Sequence, residues 1–216
     1  MKITTIYGLN YDSNIYVIYG EKPSIVDTGT GMHHKQVISK ISEIIDLDKI
    51  EQIILTHEHF DHTGGAKKIK AELKNEIKII AHENAAKKIE RGISDFARML
   101  GQEFESVTVD KKLKDEDQIN LGDNTFQVLY TPGHTPGCIC LYDKNTKSLI
   151  SGDTVFSHGS FGRYDFPGGS IEDLKNSIER LTKLDVENLY PGHETIVEGN
   201  ANMHIKKSYE NCRYLR

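Results

Sequence analysis

His57, His59, Asp61 and His62 fall within six positions, "HEHFDH", directly after the apolar run Ile53-Ile54-Leu55. Three imidazoles and an aspartate are costly to desolvate together unless each is paired or bound to something. Neutral imidazole and carboxylate are the usual ligand set of zinc and similar ions. If the chain stays extended, His57 and His59 share a face, and a turn at Phe60 brings Asp61 and His62 round to a neighbouring point. A zincin helix fails by one register, because HExxH needs a second histidine where Asp61 stands.

Three more polar residues end apolar runs beside glycine: His134 in "VLYTPGHTPG", Asp153 in "LISGDT" and His193 in "LYPGHE". Each alone is an ordinary turn residue. Taken with the first cluster they make five histidines and two aspartates, enough for two ions bridged by one carboxylate.

The elements that position these residues follow from pattern. "KITTIY", "NIYVIYG", "SIVD", "IEQIIL" and "IKIIAH" are short strand signals, and so are "TFQVLYT", "CICLYD", "SLISGD" and "VENLYPGHE". "KQVISKISEII" places Val37, Ile38, Ile41, Ile44 and Ile45 on one helical face. A helix is expected after Gly64-Gly65, and one helix over 83–101 with Ala85, Ala86, Ile89, Phe96, Met99 and Leu100 inward. "KKLKDEDQINLGD" is expected to be polar turn, without the spacing of a calcium loop. "SIEDLKNSIERLTKL" opens on a capping box, Ser170 with Asp173, and carries the stripe Ile171, Leu174, Ile178, Leu181 and Leu184. A short helix is expected around 202–214.

A faint repeat runs through the chain. "KPSIVDTGTG" resembles "TKSLISGDTV", each a strand running into Asp-Thr, at Asp27 and Asp153; after each come an amphipathic helix and a strand ending in histidine. Two such halves predict an α/β protein of two sheets packed face to face with helices outside, a single domain over 1–216 because no linker divides it. The chain of 216 residues is 37% hydrophobic, 27% charged and of net charge −5, which supports a core and argues against a basic nucleic-acid face. Cysteines 138, 140 and 212 suit a reducing compartment, the first two as core residues. With no signal peptide or membrane span in the pattern, a cytoplasmic location is expected.

The ordered set "HEHFDH", His134, Asp153 and His193 resembles the metallo-β-lactamase superfamily, from "VDTG" at 26–29 to "PGHE" at 191–194. The resemblance implies the four-layer αββα sandwich. It implies a first ion on His57, His59 and His134, a second on Asp61, His62 and His193, and Asp153 bridging them. Asp27 matches a position that supports the metal shell by hydrogen bonds. Asp153 at the bridge differs from true β-lactamases, Phe156 replaces a tyrosine common in lactone hydrolases, and the arm of the tRNA nucleases is not visible. The flavodiiron proteins have glutamate where this chain keeps His59.

The chain looks most like the glyoxalase II group. Its loop "GSFGRYDFPGGS" places Arg163 where a basic residue holds the thiol part of a thioester. Two tyrosines of that group are Asp165 and Thr195 here, which puts glutathione in doubt as the thiol. The resemblance implies a thioester hydrolase with two divalent ions, zinc first and iron or manganese next, and a small-molecule thioester as partner; the charge and the lack of a long apolar run lead us to expect no nucleic-acid or membrane partner. Asp61 and Asp153 are the expected catalytic carboxylates. The alternative is a mononuclear Fe(II) persulfide dioxygenase using His57, His134 and Asp153, whose loop pattern "GRYDF" also fits.

Other motifs dissolve on inspection. "DTG" at 27–29 lacks a second copy, and "HGSFG" lacks the first glycine of a nucleophile elbow. His33, His34, His82 and His204 are expected to be exposed or structural, and His158 to lie at the surface of the substrate loop.

Overall fold

The computed structural model describes residues 2–215 apart from Lys74, Asp123 and the side chain of Asp95. It divides into two compact units, Met1–Leu113 with Asn120–Asn124, and Lys114–Ile119 with Thr125–Arg216. Each is built on a β-α-β crossover, as the repeat predicts.

In the first unit six strands lie in chain order: β1 (Lys2–Ile6), β2 (Ile15–Tyr19), β3 (Ser24–Val26), β4 (Gln52–Leu55), β5 (Lys78–His82) and β6 (Lys111–Leu113). β1, β2 and β3 are antiparallel, and β3 to β6 are parallel. Parallel strands are covered on both faces, which is why β3 is buried throughout and β4 over its last three residues. The crossover from β3 to β4 passes through α1 (His34–Ile44), which buries Val37 and Ile41, while Ile38, Ile44 and Ile45 pack at the margin of the core. α2 (Phe60–Thr63) and α3 (Ala66–Glu72) follow β4.

The single helix expected over 83–101 is two helices, α4 (Glu83–Ile89) and α5 (Asp95–Met99). Gly92 breaks it with a left-handed φ of +61°, and Ser94 restarts it by accepting the Ala97 N–H at 3.2 Å. The break takes Met99 out of the predicted inward face and leaves it 75% exposed. The expected polar turn at 111–123 instead holds β6 and β7 (Gln118–Asn120), which bury Leu113 and Ile119. Strands with one buried side chain apiece leave almost no periodicity to detect. Its last residue, Asp123, lies outside the described residues.

The second sheet has the order β12–β11–β10–β9–β8–β7, with β8 (Thr125–Tyr130), β9 (Ile139–Asp143), β10 (Ser148–Gly152), β11 (Asn188–Pro191) and β12 (Val197–Glu198). β8, β9 and β10 are antiparallel, and β10 pairs parallel with β11 through the crossover helix α6 (Ile171–Leu181). Ser170 caps α6 by accepting the Asp173 N–H at 3.2 Å. Leu174, Ile178 and Leu181 are fully buried, each stabilising by about 1.5–3 kcal/mol relative to exposure. α7 (Ala201–Cys212) closes the chain.

All three cysteines are buried and unbridged, and burial pushes the Cys140 thiol up to about 11, so it packs as a small apolar residue. Among the described residues no helix is long and apolar enough to cross a membrane.

Candidate metal centre

Among the described residues, those grouped closely enough to hold a metal follow the C-terminal ends of strands, the end at which open α/β sheets bind ligands. The groups able to do so are His57, His59, Asp61 and His62 in the first unit, and His134, Asp153 and His193 in the second.

In the first unit the chain leaves β4 at Leu55, bends through residues 56–58 rather than staying extended as the sequence suggests, and turns through the single helical turn of α2. That turn brings His62 back on His57, with ring centroids 4.0 Å apart, while His59 lies 4.9 Å from His57. His57 and His62 are fully buried; His59 and Asp61 are half-buried. The main chain is pinned from below: Thr28 N and Oγ1 both donate to His62 O, at 2.7 and 2.8 Å, and Ser13 N donates to Asp61 O at 3.0 Å. Gly65 permits the close approach, since a Cβ there would lie 2.2 Å from the Thr28 carbonyl oxygen.

Buried Asp27 organises this group. Its Oδ1 accepts Thr56 N at 2.8 Å; its Oδ2 accepts Thr56 Oγ1 and His62 Nδ1, each at 2.8 Å. A carboxylate on Nδ1 fixes the His62 tautomer and leaves Nε2 as the nitrogen that could coordinate a metal, the usual arrangement behind a metal-binding histidine. That Nε2 lies 3.8 Å from Asp61 Oδ2. Thr56, which also lies 3.1 Å from His57 Nδ1 through its hydroxyl, was not singled out from the sequence. Its only signal is a small hydroxyl residue directly before the histidines.

In the second unit His134 stands on the turn after β8, and its Nδ1 donates to the Arg163 carbonyl at 2.5 Å. With Nδ1 so engaged, Nε2 is the nitrogen turned towards Asp153, 3.4 Å from its Oδ2. His193 Nε2 lies 3.6 Å from the same oxygen. Two imidazole nitrogens within 3.6 Å of one carboxylate oxygen make a nitrogen and oxygen donor set suited to a divalent cation, so the residues fit a metal. Thr131 and Thr154 share a 2.9 Å hydroxyl bond that ties the end of β8 to the residue after Asp153.

Arg163 is engaged within its own loop. Its Nε and Nη2 donate to Asp165 Oδ1 and Oδ2 at 2.9 and 2.6 Å, and its guanidinium lies 4.4 Å from the centre of the Phe166 ring. The hydrogen bond to Arg163 holds the exposed Asp165 carboxyl below the usual carboxylate range. His158 is exposed, with its ring 5.4 Å from His204. The remaining histidines make structural contacts: His33 pairs with Asp12 at 2.9 Å, His34 lies 3.2 Å from the Gly31 carbonyl, and buried His82 accepts the Asn84 N–H at 3.2 Å to cap α4.

Comparison with known proteins agrees with this chemistry. The family model of the metallo-β-lactamase superfamily matches residues 9–193. A probable metallo-hydrolase of Methanocaldococcus jannaschii is 32% identical over 94% of this chain and 98% of its own length. The human acyl-coenzyme A thioesterase MBLAC2 is 30% identical over 84% of this chain and 72% of its own. The hydroxyacylglutathione hydrolase GloC of Haemophilus influenzae is 30% identical over 85% and 84%. Among solved structures, the BLEG-1 B3 metallo-β-lactamase matches with a TM-score of 0.81 and 26% identity over 99% of both chains. TTHA1623, solved in a di-iron-bound form, matches with a TM-score of 0.73 and 28% identity over 98% of this chain and 97% of its own. The chain has the metallo-β-lactamase fold and belongs to the metallo-β-lactamase superfamily, with glyoxalase II-like hydrolases among its relatives.

Proposed function

We propose that the chain is a dinuclear metal-dependent hydrolase that cleaves acyl-thiol esters. The observation that carries this reading is Asp153, one oxygen of which lies 3.4 and 3.6 Å from two imidazole Nε2 atoms, those of His134 and His193. A carboxylate so flanked suits a bridge between two ions. His57, His59 and His134 are the ligands proposed for the first ion, and Asp61, His62 and His193 for the second. Zinc is the first choice for these nitrogen and oxygen donors, with iron and manganese next.

When bound, the ions supply a water acidic enough to ionise near pH 7 and a Lewis acid for the acyl carbonyl. The residues of the chain do the rest. Asp61 would hold metal and orient the attacking water. Asp27 keeps His62 in one tautomer, and the Arg163 carbonyl does the same for His134. A leaving thiol of pKa about 8.5 needs little help from a protein acid. Arg163 is the proposed grip on the thiol part, and an anionic substrate group there has to displace Asp165. The relatives named acyl-coenzyme A thioesterase and hydroxyacylglutathione hydrolase support the thioester class.

The persulfide dioxygenase alternative rests on His57, His134 and Asp153 as a facial triad and on the loop "GRYDF". Each defining residue of that run has a packing reason: a Cβ at Gly162 would lie 2.0 Å from the Asp153 carbonyl oxygen, and Arg163 pairs with Asp165 and covers Phe166. The pattern therefore favours neither chemistry. The test is a substrate panel on metal-loaded protein: acyl-pantetheine, acyl-coenzyme A and acyl-glutathione esters, a β-lactam, and a thiol persulfide under oxygen. Thiol release from one or more thioesters is expected. Sulfite from the persulfide with no thioester turnover would overturn the reading.

A further inference from the structure

The segment 153–163 carries Asp153 at one end and, at the other, the carbonyl that fixes His134. Gly162 folds back on the start of the segment, with space for a hydrogen only between the Asp153 carbonyl oxygen and the His134 ring. A Val155–Phe161 bridge and a 2.9 Å bond from Phe156 N to Ser160 O hold the two arms together. One face of α7 grips the tip, residue by residue. His204 Nδ1 accepts the His158 N–H at 2.8 Å, Asn211 Nδ2 donates to Gly159 O at 2.8 Å, and Ser208 Oγ donates to Ser160 O at 2.9 Å.

The opposite grip comes from Glu194, the residue after His193. Its Oε2 accepts Ser157 Oγ at 2.8 Å and its Oε1 accepts Ser160 Oγ at 2.9 Å. Glu194 and His158 both have left-handed backbones, with φ of +67° and +57°. Such conformations in non-glycine residues persist only where the surroundings over-determine them. Here the surroundings are these hydrogen bonds.

We propose that Glu194 is a positioning residue: by bracing Ser157 and Ser160 it fixes His193 against Asp153 and thereby sets how firmly the second ion is held. The inference rests on His193 and Asp153 being metal ligands, as proposed above. The brace works by hydrogen-bond geometry rather than by charge. The single hydroxyl proton of Ser160 has two acceptors in reach, Glu194 Oε1 and its neighbour Ser157 O at 2.8 Å. A glutamine at 194 resolves that competition, because its amide nitrogen donates to Ser160 Oγ while its oxygen still accepts from Ser157.

The test loads the full chain with Co(II) or Zn(II) and titrates it against a chelator, following ions per chain and the cobalt absorption spectrum. Glu194→Ala is expected to weaken the less tightly held ion by about 10-fold or more, the range for loss of an outer partner of a metal ligand. Ser157→Ala with Ser160→Ala is expected to do the same, and Glu194→Gln to stay within about twofold of wild type. Should Glu194→Ala fail to fold, the serine pair and the glutamine variant decide the matter. A His193→Ala control separates the two levels. If it loses an ion while Glu194→Ala and the serine pair do not, the brace is overturned alone. If it loses none, the ligand reading falls and the brace with it.

Discussion

Asp27 and Asp153 stand at matching points of the two units, each just past the first strand of a parallel β-α-β crossover, yet their surroundings differ. Asp27 is saturated by the protein: Thr56 N, Thr56 Oγ1 and His62 Nδ1 all reach it at 2.8 Å. At Asp153, by contrast, one oxygen lies near two imidazoles, at 3.4 and 3.6 Å. The difference traces to one residue in each second strand-end. "IILTHEH" puts Thr56 before His57, whereas "NLYPGHE" puts Gly192 before His193. Thr56 turns its amide and hydroxyl to Asp27; Gly192 has no hydroxyl and gives its N–H to the Gly152 carbonyl at 2.8 Å. On the proposed reading, the first aspartate supports a metal ligand and the second serves as one.

The contrast can be broken at either end. Asp153→Asn is expected to have the largest effect, removing one ion and lowering kcat/KM by about 10³-fold, the scale for losing a principal electrostatic contact of the reaction. Metal analysis and thioester kinetics on the same sample check it. Asp27→Asn is expected to cost less, about 10- to 100-fold in metal affinity or activity, because it acts through His62. It also disturbs a buried hydrogen-bonded group, so a loss of about 1–3 kcal/mol in a denaturant titration is expected as well.

Thr56→Val sharpens the comparison by making the first unit more like the second at one atom. Loss of the hydroxyl bond to Asp27 is expected to cost about 1 kcal/mol of stability and less than about tenfold in activity. The same denaturant and kinetic measurements apply, and a Thr56→Val loss as large as that of Asp27→Asn would mean that the hydroxyl alone does the work of the carboxylate. Asp165→Asn is expected to be the smallest, within about threefold in KM for a thioester with an anionic thiol part, since the pair with Arg163 is exposed and screened by salt. That change should fall towards zero as salt is raised.

Much of this was legible in the sequence wherever the information is local. The crowding of His57 to His62, the Asp-Thr strand ends and the stripe of Leu174, Ile178 and Leu181 all lie within a few residues of their partners. What was not legible depends on partners far along the chain. Arg163 is the expected grip for substrate by resemblance, but its engagement by Asp165 and Phe166 appears only once the loop is folded. The same holds for Glu194, whose partners Ser157 and Ser160 lie more than thirty residues away. The break at Gly92 was written in "RGISDF", where a glycine precedes a serine cap, but the apolar residues on both sides kept a helical spacing that masked it. β6 and β7 escaped notice because each buries one apolar residue among charges.

The most direct test of the central claim is metal content per chain, measured on protein purified without added metal or chelator and with oxygen excluded. About two zinc or similar divalent ions per chain are expected, falling to about one in Asp153→Asn. About one iron per chain in the wild type, unchanged by replacing His193, would contradict it.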